Sequence, residues 1–243
     1  MPLQPGEIFK LTFFGRDVYI VSSVALLDEL CNEKRFQKKV SATLQILRDV
    51  SHDGLFTAHT GEHGWGIAHR VVVPHLGPMG IQNMFDEMYD IASQMVAKWA
   101  REGSAYRINA SEDFTRMTLD ALALCAMDTR FNSFYHEKLH PFMDAMTEIM
   151  LEANVGPRRT FVEKWWNPEP RKRFEKNTAT LRRIAREMID NRRANWTDKK
   201  DLLNAMLYSK DPKTGERMTE ESIVDNLITF LVAGMRYLHT YCE

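Results

Sequence analysis

Cysteine is scarce in this chain: Cys31, Cys125 and Cys242 are the only three in 243 residues, and they lie far apart. An odd, scattered set supports neither a disulfide framework nor a zinc site, so a reducing cytoplasm is the expected compartment. Long apolar runs are also missing. The longest, around residues 227–233, falls well short of the ~20 residues needed to span a bilayer. The opening MPLQPGEIF has no basic segment and no apolar segment, so it is not expected to be a secretory signal. No charge of one sign dominates: 32 basic residues face 33 acidic ones, leaving no electrostatic footprint for nucleic acid or an anionic membrane. There is no internal repeat, no low-complexity tract and no linker that would split two domains.

What remains is ample material for a core. Hydrophobic residues make up 44% of the chain, enough for one domain or a large part of one. Residues 8–21, IFKLTFFGRDVYIV, read as a β-hairpin turning at Gly15. No third strong strand follows. Leu26, Leu27 and Leu30, then Leu44, Leu47 and Val50, repeat at helical spacing on either side of the polar NEKRFQKK. A short helix is expected from Trp65 to a stop at Pro74. Met84, Met88, Ile91, Met95 and Trp99 keep one stripe, predicting an amphipathic helix over 81–101. Asn109-x-x-Glu112 resembles a capping box and opens the next helix. Further helices are expected over 142–153, 170–194 and 202–208, and a final one is capped by Thr219 after the Asp211-Pro212…Gly215 turn. The fold class is mainly α with one small sheet near the start.

Two patterns have plain readings that outweigh their functional ones. The arginines 182, 183, 186, 192 and 193 alternate with Leu181, Ile184, Met188 and Ile189, which reads as a solvated helix face rather than an RNA-binding stripe. His136-Glu137-Lys138-Leu139-His140 matches HExxH, the zinc-protease signature, with Glu163 as a distant third ligand. That chemistry needs both imidazoles on one helical face. Pro141 follows at once and pushes His140 out of the α region, so no catalytic metal is expected here and the protease is a minor alternative.

A third pattern is more specific. Trp65 and His69 lie four apart at a helix start, so an indole N–H and an imidazole share one face and can both donate to a carboxylate pair. Asp53-Gly54-Leu55-Phe56-Thr57 precedes them, and Arg130-Phe131-Asn132-Ser133-Phe134-Tyr135 follows. In this order and spacing, from about Gly6 to Gly234, the chain resembles the N-terminal half of a cytochrome P450, a haem-thiolate monooxygenase. Within that family it looks like the self-sufficient fatty-acid hydroxylases fused to an NADPH–P450 reductase. The resemblance implies a haem cofactor, a fatty-acid-like substrate and a flavin reductase domain as electron partner. It also implies roles for individual residues. Trp65 and His69, with Leu55 nearby, would hold the haem. Arg16 in the hairpin turn would meet the substrate carboxylate, Phe56 would stand over the haem, and Leu44, Leu47 and Val50 would wall the channel. The tyrosine that partners the arginine in this subfamily is replaced by Ile20, while Tyr19 points to the other face.

The C-terminal segment departs from the family. Ala233-Gly234 matches its proton-relay helix, but Met235, Arg236, Tyr237 and Leu238 stand where an acid–alcohol pair is expected, and no axial-cysteine loop follows. The expectation is a P450 domain over 1–234, truncated, with a divergent tail over 235–243. It is a fragment of a fatty-acid-hydroxylating monooxygenase, inactive as written and with no catalytic residue assigned. A non-catalytic relic or interaction fragment is the alternative.

Overall fold

The computed structural model describes residues 8–13, 15–32, 34–103, 105, 107–156, 159 and 166–239. The side chains of Phe13, Arg16, Ala42 and residues 234–239 are not among those described; Glu163 and Cys242 lie outside altogether. The chain forms two units, 1–39 and 40–243.

In the first unit, β1 (Ile8–Phe13) pairs antiparallel with β2 (Arg16–Val21), with Phe13 opposite Arg16 and Ile8 opposite Val21. Gly15 takes φ +74°, which a glycine accepts without strain, so the expected hairpin forms where the sequence places it. α1 (Val24–Leu30) follows, its first turn capped by Ser23, whose Oγ accepts from the Leu26 N–H. None of its residues is buried.

The second unit is helical. α2 (Ala42–Ser51), α3 (His63–Val72), α4 (Pro78–Gln82), α5 (Phe85–Glu102), α6 (Ala110–Met127), α7 (Pro141–Val155), α8 (Glu169–Ala194), α9 (Leu202–Tyr208) and α10 (Glu220–His239) succeed one another. A 3₁₀ turn over Val73–Leu76, with Pro74 at its start, ends α3. α10 is the central element and packs against α2, α3, α6, α8 and α9. Its Leu227, Ile228 and Leu231 meet Leu119, Phe142, Ile149, Leu181, Leu203 and Met206 in one core. Burying such side chains contributes roughly 1.5–3 kcal/mol each, which is why the α10 face is apolar. A smaller cluster of Ile91, Met95, Leu124 and Phe134 seals α5 to α6. Among the described residues no helix is long and apolar enough to cross a membrane.

Two expectations are corrected. The single helix over 81–101 is two, α4 and α5, broken at Asn83 and Met84. The apolar stripe begins only at Met84, the N-cap of α5, and so carries no information on residues 81–83. The arginine run of α8 is not a solvated face throughout. Arg192 is buried and bonds Asp201 through both nitrogens, at 3.0 and 2.7 Å. Arg182 bonds Asp225 at 2.6 Å and also pairs with Glu221. These guanidiniums tie α8 to α9 and α10.

The caps fall where the local chemistry calls for them. Asn109 Oδ1 accepts from the Glu112 N–H at 3.3 Å, and Thr219 Oγ1 accepts from the Ser222 N–H at 3.2 Å. The HExxH segment is not helical: α7 begins only at Pro141. His140 is its N-cap, with Nδ1 accepting from the Phe142 N–H at 3.2 Å and its ring stacked on Phe131 at 4.0 Å. The carbonyls of His136 and Glu137 accept from Arg116 at 3.0 and 2.8 Å. The two histidines therefore do not share a helical face.

Candidate functional site

α3 begins after Gly61 (φ +87°), and its four-residue spacing sets Trp65 above His69. The rings stack with centroids 4.8 Å apart and an interplanar angle of 28°. Ile67, Ala68, Val71 and Val72 of the same helix are buried, while His69 reaches the surface. His69 is exposed and Trp65 half-buried.

The indole is not idle. Trp65 Nε1 donates to the Leu55 carbonyl at 3.2 Å. Leu55 belongs to a tight loop after α2. The loop is closed by hydrogen bonds from the Thr57 and Ala58 N–H groups to the Gly54 carbonyl. Thr57 Oγ1 adds a bond to the His52 carbonyl at 2.9 Å. Arg48 spans the loop, donating to the carbonyls of His52 and Thr57 at 3.0 Å each and to Glu62 at 2.6 Å. Phe56 projects from this loop with 47% of its surface exposed.

The loop is also fastened to α10, by residues that sequence reasoning missed. The Leu55 N–H donates to Asn226 Oδ1 at 3.0 Å. His52 Nδ1 lies 3.3 Å from one oxygen of Asp225 and 3.2 Å from the other. Burial pushes the Asp225 carboxyl above the usual range, opposed by the Arg182 guanidinium and by His52. These partners are over 170 positions apart in the chain, so no local pattern announces them. The one hint is the Asp-Asn pair inside an otherwise apolar helical run.

The candidate substrate residues are placed less uniformly. Leu47 and Val50 lie in the core, and Leu44 packs against it. A cleft of about 720 Å³ opens beside them among α2, α7 and α8. Ile46 and Asp49, not the three expected positions, line it from α2, facing Phe174 and Arg182 of α8. The Arg16 backbone begins β2, and its side chain lies outside the described residues. Tyr19 and Ile20 are both exposed.

The model of the cytochrome P450 family matches residues 3–236. The chain belongs to the cytochrome P450 family. It is 51% identical over 229 residues to a bifunctional cytochrome P450/NADPH–P450 reductase of Aspergillus oryzae, covering 94% of this chain and 21% of that protein. It is 49% identical over 230 residues to a self-sufficient cytochrome P450 monooxygenase of Aspergillus niger, with the same coverage. A bifunctional cytochrome P450/NADPH–P450 reductase of Acremonium egyptiacum is 49% identical over 232 residues. The chain spans about a fifth of the length of these curated relatives.

Cytochromes P450 carry haem, and the donor set on α3 fits its carboxylates. Trp65, half-buried, and His69, exposed, carry their ring nitrogens one helical turn apart on α3. The bond from Trp65 to the Leu55 carbonyl, at 3.2 Å, is at the long end of the range, so an ionised carboxylate competes well for the same N–H. An axial thiolate is another matter. Burial pushes the Cys125 thiol up to about 11, and its Sγ lies 3.6 Å from the Met84 carbonyl, so it stays a protonated core thiol. Cys31 sits exposed at the end of α1. Neither described cysteine suits the iron.

Proposed function

We propose that this P450 chain is part of a cytoplasmic haem-dependent monooxygenase that hydroxylates a fatty acid or similar amphiphile, with electrons from a flavin reductase domain. The observation that carries the reading is the Trp65–His69 stack, held against the loop that presents Phe56. Haem, when bound, supplies the oxygen activation needed to hydroxylate an unreactive C–H bond. The chain's own residues bind and orient. Trp65 with its indole N–H, and His69 with a ring N–H, would hold the two propionate carboxylates. Leu55 and Phe56 would offer an apolar edge to the haem and to the substrate. Arg16 pairs with the substrate carboxylate, without help from a tyrosine at position 20. The acyl chain lies along the α2 side, where Ile46 and Phe174 border the cleft and Leu44, Leu47 and Val50 back it from the core.

The same reading holds that the 243-residue chain alone does not run this reaction, because neither Cys31 nor Cys125 offers a shielded thiolate and the sequence around Cys242 does not match the family's axial-cysteine loop. The test is the carbonmonoxy-ferrous spectrum after loading with hemin. A Soret band without thiolate character is expected. A band typical of cysteine-thiolate ligation overturns the claim of inactivity.

A further inference from the structure

We infer that Asn226 is a positioning residue: it fixes Leu55 so that the Leu55 carbonyl aims the Trp65 indole and the loop presents Phe56. The inference rests on the reading of Trp65 as a haem-propionate donor, but its geometry stands apart from any haem. Asn226 is fully buried, and its own amide is oriented: Nδ2 donates to the Ser222 carbonyl one turn back at 2.8 Å. That bond leaves Oδ1 facing the loop, where it accepts from the Leu55 N–H at 3.0 Å. The other side of Leu55, its carbonyl, accepts from Trp65 Nε1. One residue thus joins α10 to α3 through two successive hydrogen bonds.

A second, independent feature holds the loop at the same place. A Cβ on Gly54 would lie 2.5 Å from Thr229 Oγ1, 3.0 Å from the Ser51 carbonyl oxygen and 3.1 Å from the Asp225 carbonyl oxygen. Thr229 cannot swing aside freely, since its hydroxyl donates to the Asp225 carbonyl at 2.7 Å. Close backbone approach therefore lets the Leu55 N–H reach Asn226. Any side chain at position 54 lifts the loop away from α10 and takes the Leu55 carbonyl with it.

Alternatives for Asn226 are less complete. A purely structural asparagine would satisfy its own helix and stop. This one directs its acceptor to Leu55, the residue whose carbonyl accepts the indole N–H. If the haem reading is right, the consequence reaches the cofactor, because the donor that a propionate must recruit is set by a residue that never touches it.

The test uses the full chain labelled with ¹⁵N-tryptophan, in which Trp65→Phe assigns the Trp65 indole resonance. Trp99, whose Nε1 donates to Asp113 at 2.7 Å, is the internal reference. Asn226→Leu is expected to shift the Trp65 resonance and to speed its solvent exchange roughly tenfold, as loss of one ordinary hydrogen bond implies, with Trp99 unchanged. Asn226→Asp retains an acceptor for Leu55 and should keep the Trp65 signal near its original position. Should Asn226→Leu not fold, Gly54→Ala, which leaves Asn226 intact, must produce the same selective change. A Trp65 resonance unmoved in a folded Asn226→Leu or Gly54→Ala chain overturns the inference. Hemin titration of the same variants separates the two ideas. Weakened binding together with the indole shift supports both. An indole shift with unchanged hemin affinity upholds the positioning role and removes Trp65 from the haem site.

Discussion

Arg70 and Asp211 form a two-pronged ion pair, with Nε to Oδ1 at 2.6 Å and Nη2 to Oδ2 at 2.7 Å. The pair joins α3, one residue past His69, to the turn that precedes α10. The turn is closed by the Gly215 N–H donating to the Asp211 carbonyl at 2.8 Å, and Thr214 adds its hydroxyl to the same carboxylate at 2.7 Å. The Arg70 guanidinium holds the Asp211 carboxyl well below the usual carboxylate range.

A depressed carboxyl contributes stability that is complete above its unfolded value, about 3.9, and is lost as pH falls through the folded value. Acid unfolding of the chain should therefore steepen below about pH 4, where unfolded carboxyls begin to bind protons that Asp211 still refuses. Asp211→Asn is expected to lower the melting temperature at neutral pH and to flatten this acid limb. Denaturation midpoints measured across the acid range check both parts. An acid limb of unchanged slope would show that the pair does not govern it.

The second buried pair predicts a larger effect. Arg192 meets Asp201 inside the fold and also donates to the Met127 carbonyl at 3.1 Å and to Asn204 at 2.7 Å. Arg192→Met leaves a buried carboxylate uncompensated and should cost about 3–5 kcal/mol. Adding Asp201→Ser to it removes the stranded charge while retaining an N-cap for α9, and should restore part of the loss. Urea unfolding of the single and double variants reads the difference. A double variant no better than the single one would mean that the guanidinium's other bonds dominate.

For the HExxH segment the structure supports a capping role. Burial lowers the His140 pKa against the pull of Asp120, consistent with a neutral ring whose Nδ1 accepts from the Phe142 N–H. His140→Ala should cost about 1 kcal/mol as a lost N-cap, and His140→Asn should recover most of it. Glu137→Gln, added zinc and added chelator should each leave the unfolding curve where it was. A zinc-dependent rise in melting temperature that disappears in Glu137→Gln would revive the metal reading.

These residues also mark what the sequence could disclose. The hairpin, α9 and the caps at Asn109 and Thr219 were legible because each is set by neighbours within a few positions: strand-forming runs around a glycine, or a side chain that reaches the next turn. Trp65 and His69 were legible for the same reason, since four-residue spacing on a helix is geometry. The break between α4 and α5 was not, because Asn83 and Met84 interrupt the helix without a proline or glycine, and the apolar stripe starts only at Met84. Arg182 and Arg192 misled because their acids, Asp225, Glu221 and Asp201, lie outside α8. Asn226 and Asp225 were beyond reach: their partners Leu55 and His52 become neighbours only when α10 packs beneath the loop.

On the proposed function, the Trp65–His69 ring pair of α3 recognises the carboxylates of haem. The most direct measurement is a hemin titration of the full chain, followed by Soret absorbance, run in parallel with hemin dimethyl ester, in which both carboxylates are blocked. Saturable binding of hemin is predicted, weakened about tenfold for the ester and about tenfold for Trp65→Phe, as the loss of a charge-assisted hydrogen bond implies. Equal affinity for hemin and its ester, or a Trp65→Phe chain that binds hemin as tightly as the original, would contradict it.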